Sequence, residues 1–327
     1  MKFALRLSLS FAVAGVLVWL LLVWSGTSPG EVWRTLRAMD SSVYWTSLAV
    51  QAAIYPLRAA RFRALLDPDR PRPLARLIPI TAAHSLTAYL LPAKVGEASL
   101  VVYLKRGLGL PGATGLAVLF VARLLDFATV AGALAAACLV IGAAGSYPQL
   151  DWLLPLGAAL LVPTLVFAWL GARGEQLVRC VSWLLRRARL DRSVLGARAL
   201  GFAEHVRTAM QEVRGGRLAR AALWTLPIWA LVFLFYAVLA RGLGLSELCW
   251  AEAVFGSSLA VLSNLLPING FAGFGTQDMG WVFGFTVLGA ARDVATQSAL
   301  AFHVVYVFNM VVFGVLGHAF IGRAPQR

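Results

Sequence analysis

Residues 92–97, Pro-Ala-Lys-Val-Gly-Glu, break an apolar segment that covers residues 77–104. Neither arm beside this break is long enough to cross the hydrocarbon core of a membrane, for which a helix needs roughly 20 apolar residues. Basic residues flank the segment on both sides, Arg76 before it and Lys105 and Arg106 after it. Because basic residues mark the cytoplasmic side of membrane proteins, both ends are predicted to lie at that face. The segment is therefore predicted to be a re-entrant helical hairpin.

The composition around this hairpin is that of an integral membrane protein. Of the 327 residues, 60% are hydrophobic and 13% are charged, and the mean hydropathy is +0.76. Soluble domains contain about 45–50% apolar and about 25% charged residues, so an ordinary soluble protein and a disordered chain are both excluded. The three cysteines are far apart and have no metal-ligand spacing, which argues against a disulfide framework and a zinc site. We expect an all-α polytopic membrane protein.

Six segments have the length and hydropathy of membrane spans. They cover residues 5–24, 42–57, 116–141, 152–170, 221–240 and 295–321. A second broken segment, residues 252–289, is interrupted by Pro267 and the glycine-rich stretch that follows it. Because both flanks of this segment are predicted to lie outside, we expect a second re-entrant hairpin that enters from the outer face.

The two halves of the chain have the same order of predicted elements. Residues 1–145 and residues 150–327 each contain two spans, one hairpin and one further span, and the hairpins enter from opposite faces. This order predicts an inverted repeat, an arrangement common in secondary transporters that brings the interrupted segments together near the midplane. We expect one integral membrane domain, residues 1–327, built from these two halves.

The basic residues predict the orientation. If the N-terminus is cytoplasmic, 23 of the 29 Lys and Arg residues fall in inner loops, Arg58, Arg61 and Arg63 among them. This asymmetry predicts that both termini lie in the cytoplasm. The loop of residues 173–220 contains eleven arginines and apolar residues at helical spacing. It is predicted to contact anionic lipid of the inner leaflet as a cationic amphipathic helix, with a protein-docking site as the alternative and no motif for nucleic acid.

Charged residues inside the apolar segments are the candidates for function, because an unpaired charge in a membrane costs roughly a few kcal/mol or more. Arg123 and Asp126 lie three residues apart, on one helix face, and Lys94 and Glu97 have the same spacing at the first break. Both pairs also have a structural interpretation. Arg123 and Asp126 could be a buried ion pair that locks helix packing, and Lys94 and Glu97 could form a cap at a helix N-terminus. We favour a functional interpretation, in which these residues line a path for a polar headgroup.

The second half contains matching candidates. Asn269, Gln277 and Asp278 lie at the second break, and His303 lies on the last span, at the position that corresponds to Arg123. His84, in the first arm of the first hairpin, is interpreted as a core histidine. These positions predict that the two tips meet near the midplane and form one polar cavity.

Three stretches resemble a known membrane family, the lysylphosphatidylglycerol synthase transmembrane region. They are residues 89–97 (Tyr-Leu-Leu-Pro-Ala-Lys-Val-Gly-Glu), residues 123–126 (Arg-Leu-Leu-Asp) and the glycine-rich residues 270–278. The family usually has Glu after the second glycine cluster, where this chain has Gln277 and Asp278, and often Arg where this chain has His303. The resemblance extends over nearly the whole chain. It is a resemblance to the membrane module alone, without the synthase domain that follows it in some members.

The resemblance implies translocation of a lipid between membrane leaflets, in some members an aminoacylated phosphatidylglycerol. We therefore expect a lipid flippase or scramblase of the bacterial cytoplasmic membrane. In it, Lys94 and Arg123 would bind a phosphate, while Glu97, Asp126 and Asp278 would balance charge or bind a cationic substituent. No cofactor or metal is expected, and catalytic activity is not expected because no hydrolase, metalloprotease or nucleotide-binding motif is present. Two alternatives remain: a non-transporting membrane partner of a lipid- or glycan-modifying enzyme, and a small-solute secondary transporter.

Overall fold

The computed structural model describes residues 2–66, 72–172, 215–265 and 271–321, together with isolated positions between 173 and 214. Within these ranges the chain is helical and contains no strand. The described part of the first half contains α1 to α6, with the bounds Lys2–Ser25, Pro29–Ala38, Ser41–Leu65, Leu74–Leu90, Ser99–Leu108 and Gly112–Ala144. The described part of the second half contains α7 to α11, with the bounds Leu153–Ala172, Gly216–Gly242, Trp250–Leu265, Thr276–Val287 and Arg292–Ile321.

Among the described residues, four helical stretches are long and apolar enough to cross a membrane. They are Gly112–Ala144, Pro148–Trp169, Gly216–Gly242 and Arg292–Ile321. The end of α1 and the whole of α2 form a further candidate, a helix pair bent by 87°. Helix α3 contains the predicted span 42–57 but is less apolar, because residues such as Gln51 and Arg58 lie on it. The described helices are therefore those of a multi-pass membrane protein, and the count of six spans stays a prediction.

The first predicted interruption is a break between α4 and α5. The residues that join these helices form a short 3-10 helix, Pro92–Ala98. Gly96 lies against the last turn of α4, where an added Cβ atom would come within 2.2 Å of the carbonyl oxygen of Thr87. Only glycine permits such an approach, so this position holds the tip of the first hairpin against α4.

The second predicted interruption lies between α9 and α10. Residues 266–270 are outside the described ranges, and the chain continues with a 3-10 helix, Phe271–Gly273. Ala272 has a φ angle of 50°, in the left-handed region that residues other than glycine rarely adopt. Gly275 has a φ of 80°, and an added Cβ would come within 2.2 Å of the Cβ of Leu17. The second tip is therefore a strained turn packed against α1.

The assignment of Arg58, Arg61 and Arg63 to an inner loop is wrong. Helix α3 continues through all three residues and ends at Leu65. Residues 57–65 include three alanines and two leucines, which favour helix, and Pro56 lies inside the helix without ending it. Because the helix continues, Arg61 enters the interior and is only 2% exposed, while Arg63 stays exposed.

Helices α1, α2 and α11 meet at one end of the molecule. The guanidinium group of Arg292 lies 4.8 Å from the centre of the Trp24 ring, and the hydroxyl of Thr35 donates a hydrogen bond of 3.1 Å to Gln297. Nearby Trp33 is 55% exposed. Exposed tryptophans are typical of the boundary between lipid and water, so this end is interpreted as one of the two membrane surfaces.

The packing of the long helices leaves polar space between two apolar cores. Helix α3 packs along α8, α4 along α11, and α6 along α7 and α9. One core surrounds Phe235, Trp281 and Phe302, and the other surrounds Leu77 and Leu104. Residues of both cores line the cavity described below.

The loop of residues 173–220 lies mostly outside the described ranges. Its last residues belong to α8, which begins at Gly216, five residues before the predicted span 221–240. The predicted amphipathic helix, and the contact with anionic lipid that it would make, are not tested by the described residues.

Candidate functional site

A cavity of about 170 Å³ lies where α3, α4, α6, α8 and α11 face one another. It is reached by residues near the middle of the three long helices: Phe127 of α6, Trp229 of α8 and Tyr306 of α11. A position halfway along helices of this length lies in the interior of the membrane rather than at its surface. The volume is sufficient for a small polar group together with water.

Asp126 is the centre of an ion-pair network in this cavity. Arg61 donates to it through Nη1 at 2.5 Å and through Nη2 at 3.4 Å, and Arg123 donates through Nη1 at 3.0 Å. The indole nitrogen of Trp229 adds a fourth hydrogen bond of 2.9 Å. A buried carboxylate needs such donors, because its desolvation is costly and the charge must be balanced by close partners.

Glu97 extends this network from the first tip. Arg123 donates to the Oε2 atom of Glu97 through Nε at 3.1 Å and through Nη2 at 2.6 Å. The Nε2 atom of His84 lies 3.8 Å from the same oxygen, and its Nδ1 atom is hydrogen-bonded to Ser99 at 2.9 Å. Arg123 thus joins the tip residue Glu97 to Asp126 of α6. We name Arg61, Glu97, Arg123 and Asp126 the cavity cluster.

The cavity cluster is open on one side. The side chain of Arg61 is 3% exposed and that of Asp126 is 12% exposed, whereas those of Glu97 and Arg123 are 26% and 36% exposed. The charges therefore extend from the protein interior to an accessible surface. Arg123 and Glu97 are the more accessible members of the cluster, and Asp126 and Arg61 are the more buried ones.

A second polar cluster lies in the second half and is closed. The Nδ1 atom of His303 lies 2.8 Å from the Oδ1 atom of Asp278, and both side chains are at most 1% exposed. The backbone N–H of Gly275 donates to the other oxygen of Asp278 at 2.8 Å. The Nε2 atom of His303 lies 2.8 Å from the carbonyl oxygen of Ala272, which can only accept, so Nε2 carries the hydrogen. We name Asp278 and His303 the tip cluster, because they hold the backbone of the strained second tip.

A hydrogen-bonded wall separates the tip cluster from the cavity. The hydroxyl of Tyr89 donates to the side-chain oxygen of Gln277 at 2.7 Å and lies 3.1 Å from Nε2 of His303. The amide nitrogen of Gln277 donates to the hydroxyl of Tyr236 at 3.1 Å. Both tyrosines line the cavity, whereas Gln277, Asp278 and His303 do not.

The structure therefore distributes the predicted site residues between two places. Glu97, Arg123 and Asp126 come together in the cavity, and Gln277, Asp278 and His303 come together behind its tyrosine wall. Asn269 lies outside the described residues. Lys94 belongs to the 3-10 helix Pro92–Ala98, but its side chain is outside the described part of the structure.

Several cavity residues were missed by the sequence analysis. The basic-residue count places Arg58 and Arg61 in a loop, Trp229 belongs to a predicted apolar span, and Tyr89 enters only as part of the stretch that resembles the family. The alanines and leucines of residues 57–65 are a helix signal for both arginines, although Pro56 lies just before them. Among the described residues, no group of three His, Cys, Asp or Glu side chains is arranged to hold a metal ion.

The sequence model of one family, described as the lysylphosphatidylglycerol synthase TM region, matches residues 7–314. The chain belongs to this family. The match includes both broken segments, so every residue of the cavity cluster and of the tip cluster lies within the region that the family shares.

The chain is also similar to a protein named glycosyltransferase AglD from Haloferax volcanii. The two sequences are 26% identical over 316 residues. The alignment covers 88% of this chain but 50% of the relative, so the chain spans about half the length of the curated relative that it matches.

Proposed function

We propose that the protein moves a phospholipid, or another lipid with a polar headgroup, between the two leaflets of the membrane. The observation that carries this proposal is the open cavity cluster, in which Arg123 joins Glu97 to Asp126 halfway along the long helices. An unaided headgroup crosses hydrocarbon very slowly, because its polar groups and charges lose their hydration. A cavity with paired charges and water replaces that hydration, while the acyl chains stay in the surrounding lipid.

The order of elements supports an inverted repeat as part of this proposal. In the first half, the long helix α3 is followed by the broken segment α4–α5 and then by the long helix α6. In the second half, α8 is followed by the broken segment α9–α10 and then by α11. Glu97 lies just before the second arm of its segment and contacts Arg123 of α6. Asp278 lies within the second arm of its segment and contacts His303 of α11. With both termini cytoplasmic in a bacterial cytoplasmic membrane, the two tips would approach the midplane from opposite faces.

Reconstitution tests the proposal directly. The purified protein is inserted into liposomes that contain a lipid with a fluorescent acyl chain, and a membrane-impermeant reductant reports which lipid molecules reach the outer leaflet. The variants Glu97→Gln and Arg123→Ala should lower the rate of lipid movement at least about tenfold, because each breaks a charge-assisted hydrogen bond of roughly 1.5–3 kcal/mol.

The matched control is Arg106→Gln, which removes one exposed charge from α5 without touching the cavity. It should leave the rate unchanged. Lipid movement that is equal in the wild type, Glu97→Gln and Arg123→Ala proteins would remove the cavity from the mechanism, and a wild type that moves no lipid would contradict the function.

A second candidate function is that of a membrane partner for a glycan- or lipid-modifying enzyme. In both candidate functions, the chain's own residues catalyse no reaction. The observation that favours this candidate is the match to half of a protein named glycosyltransferase AglD. In this case the purified protein would move no lipid in liposomes. Its addition would instead raise the rate of a membrane glycosyltransferase reconstituted with it, and substitutions in the loop of residues 173–220 would abolish that increase.

A further inference from the structure

Arg58 is a cavity residue that has a different environment from the other arginines. Its side chain lines the cavity, and its Nη1 atom donates a hydrogen bond of 3.3 Å to the hydroxyl of Ser85. Ser85 in turn donates to the carbonyl oxygen of Thr81 at 2.9 Å. Within the part of the chain that the structure describes, no carboxylate forms an ion pair with Arg58.

The two carboxylates of the cavity are already engaged by other cations. Asp126 accepts from Arg61, Arg123 and Trp229, and Glu97 accepts from Arg123. The described lining therefore contains three guanidinium groups and two carboxylates, which leaves one positive charge in excess. Arg58 carries this excess, because it is the arginine of the described lining that has no carboxylate partner among the described residues.

An unbalanced guanidinium group in the membrane interior is costly unless water or an anion accompanies it. Arginine presents five N–H donors in a planar arrangement that matches two oxygens of a phosphate group. Among the described residues, the hydroxyl of Ser85 accepts from one of these donors at Arg58, and no other side chain or carbonyl is within hydrogen-bond distance of the remaining ones. A cationic substituent has no equivalent partner, because both carboxylates are engaged.

From this charge balance we infer that the cavity selects lipids whose headgroup has a net negative charge, and that Arg58 binds the phosphate. This inference rests on the function proposed above. Arg123, which donates to both carboxylates, is then a positioning residue that fixes Glu97 and Asp126. The preferred substrate is an anionic phospholipid rather than a zwitterionic or aminoacylated one.

Binding in detergent tests the inference independently of transport. The affinity of the purified protein is measured for short-chain phosphatidylglycerol, for phosphatidylcholine of the same chain length and for a short-chain phospholipid with a lysyl-esterified headgroup. The wild type should bind phosphatidylglycerol at least about tenfold more tightly than either of the others, which is the size expected for one charge-assisted contact. Equal affinity, or tighter binding of the lysylated lipid, would overturn the inference.

Variants of α3 assign the preference to Arg58. Arg58→Gln should abolish the preference for phosphatidylglycerol, and Arg58→Lys should keep part of it because the charge remains. Arg63→Gln is the matched control, since Arg63 lies on the same helix but is exposed. It should bind like the wild type. A preference that survives in Arg58→Gln would show that another group binds the headgroup.

Two further arms separate this inference from the proposed function and from a soluble ligand. Inorganic phosphate in excess should fail to displace phosphatidylglycerol, and displacement would identify a soluble phosphate as the ligand and overturn the lipid assignment. In liposomes, movement of all three lipids at equal rates would contradict the inference and leave the flippase function standing. Selective binding of the anionic lipid without any lipid movement would contradict the function and leave the selectivity standing.

Discussion

The cavity cluster and the tip cluster are built from similar residues at corresponding places in the two halves, but they have different environments. In each cluster an acidic residue at a helix break contacts a basic residue on the following long helix, at 2.6 Å between Glu97 and Arg123 and at 2.8 Å between Asp278 and His303. The first pair is partly exposed to the cavity, whereas the second is enclosed and holds backbone atoms of a strained turn.

The difference teaches that the same order of an acidic residue at a break and a basic residue on the next long helix can face a cavity in one half and hold backbone atoms in the other. Arginine keeps its charge under all ordinary conditions, so the cavity cluster needs counter-charges or water at all times. The tip cluster lies behind Tyr89 and Tyr236 and makes hydrogen bonds to backbone atoms of the second tip, while the cavity cluster remains open.

The largest effect is expected from Asp126→Ala in the cavity cluster. This change leaves Arg61 buried without its carboxylate, and breaking one partner of a buried ion pair costs about 3–5 kcal/mol. Unfolding by titration with a denaturing detergent measures the loss. The double variant Arg61→Met, Asp126→Ala should be more stable than the single variant, because no unpaired charge remains at that position. A double variant that is less stable than Asp126→Ala would contradict this account.

A smaller effect is expected from Asp278→Ala in the tip cluster. The change leaves the N–H of Gly275 without its acceptor, at a cost of about 1–3 kcal/mol, while Nε2 of His303 keeps its hydrogen bond to the carbonyl oxygen of Ala272. Hydrogen exchange should become faster in residues 271–275, where the tip loses its anchor, and stay unchanged in α6. A loss of stability as large as that of Asp126→Ala would show that Asp278 stabilises the fold as strongly as the buried ion pair of the cavity cluster does.

The smallest effect is expected at the wall between the clusters. Tyr89→Phe removes the hydroxyl that donates to Gln277 and should cost about 1 kcal/mol of unfolding free energy. Tyr306→Phe is the control, because Tyr306 lines the same cavity and packs through its ring against Phe302. It should change stability by less than about 0.5 kcal/mol. Equal effects of the two changes would mean that the hydrogen bond of the Tyr89 hydroxyl does not stabilise the wall.

Local sequence was sufficient to predict the helical membrane class and the positions of both breaks. The break at residues 92–97 and the glycine-rich break near residue 270 depend on proline and glycine in an apolar context, and these residues act on the backbone directly. The pairing of Arg123 with Asp126 also follows from their spacing on one helix.

The partners of these residues from other helices could not be predicted in the same way. Arg61 and Asp126 are 65 positions apart, and Tyr89 and Gln277 are 188 positions apart. The enrichment of basic residues in cytoplasmic loops predicts a loop position for Arg61. This rule considers one residue and its neighbours in sequence, so it takes no account of a carboxylate on another helix.

By itself the sequence determined that this chain is a helical membrane protein of the lysylphosphatidylglycerol synthase TM-region family, with two broken segments and few charges between them. The tertiary structure alone decided which charges face the cavity, which are sealed at the second tip, and that Arg58 has no carboxylate partner among the described residues. The reason is physical: apolar spacing and backbone breaks act over a few residues, whereas the balance of buried charge depends on which helices pack together.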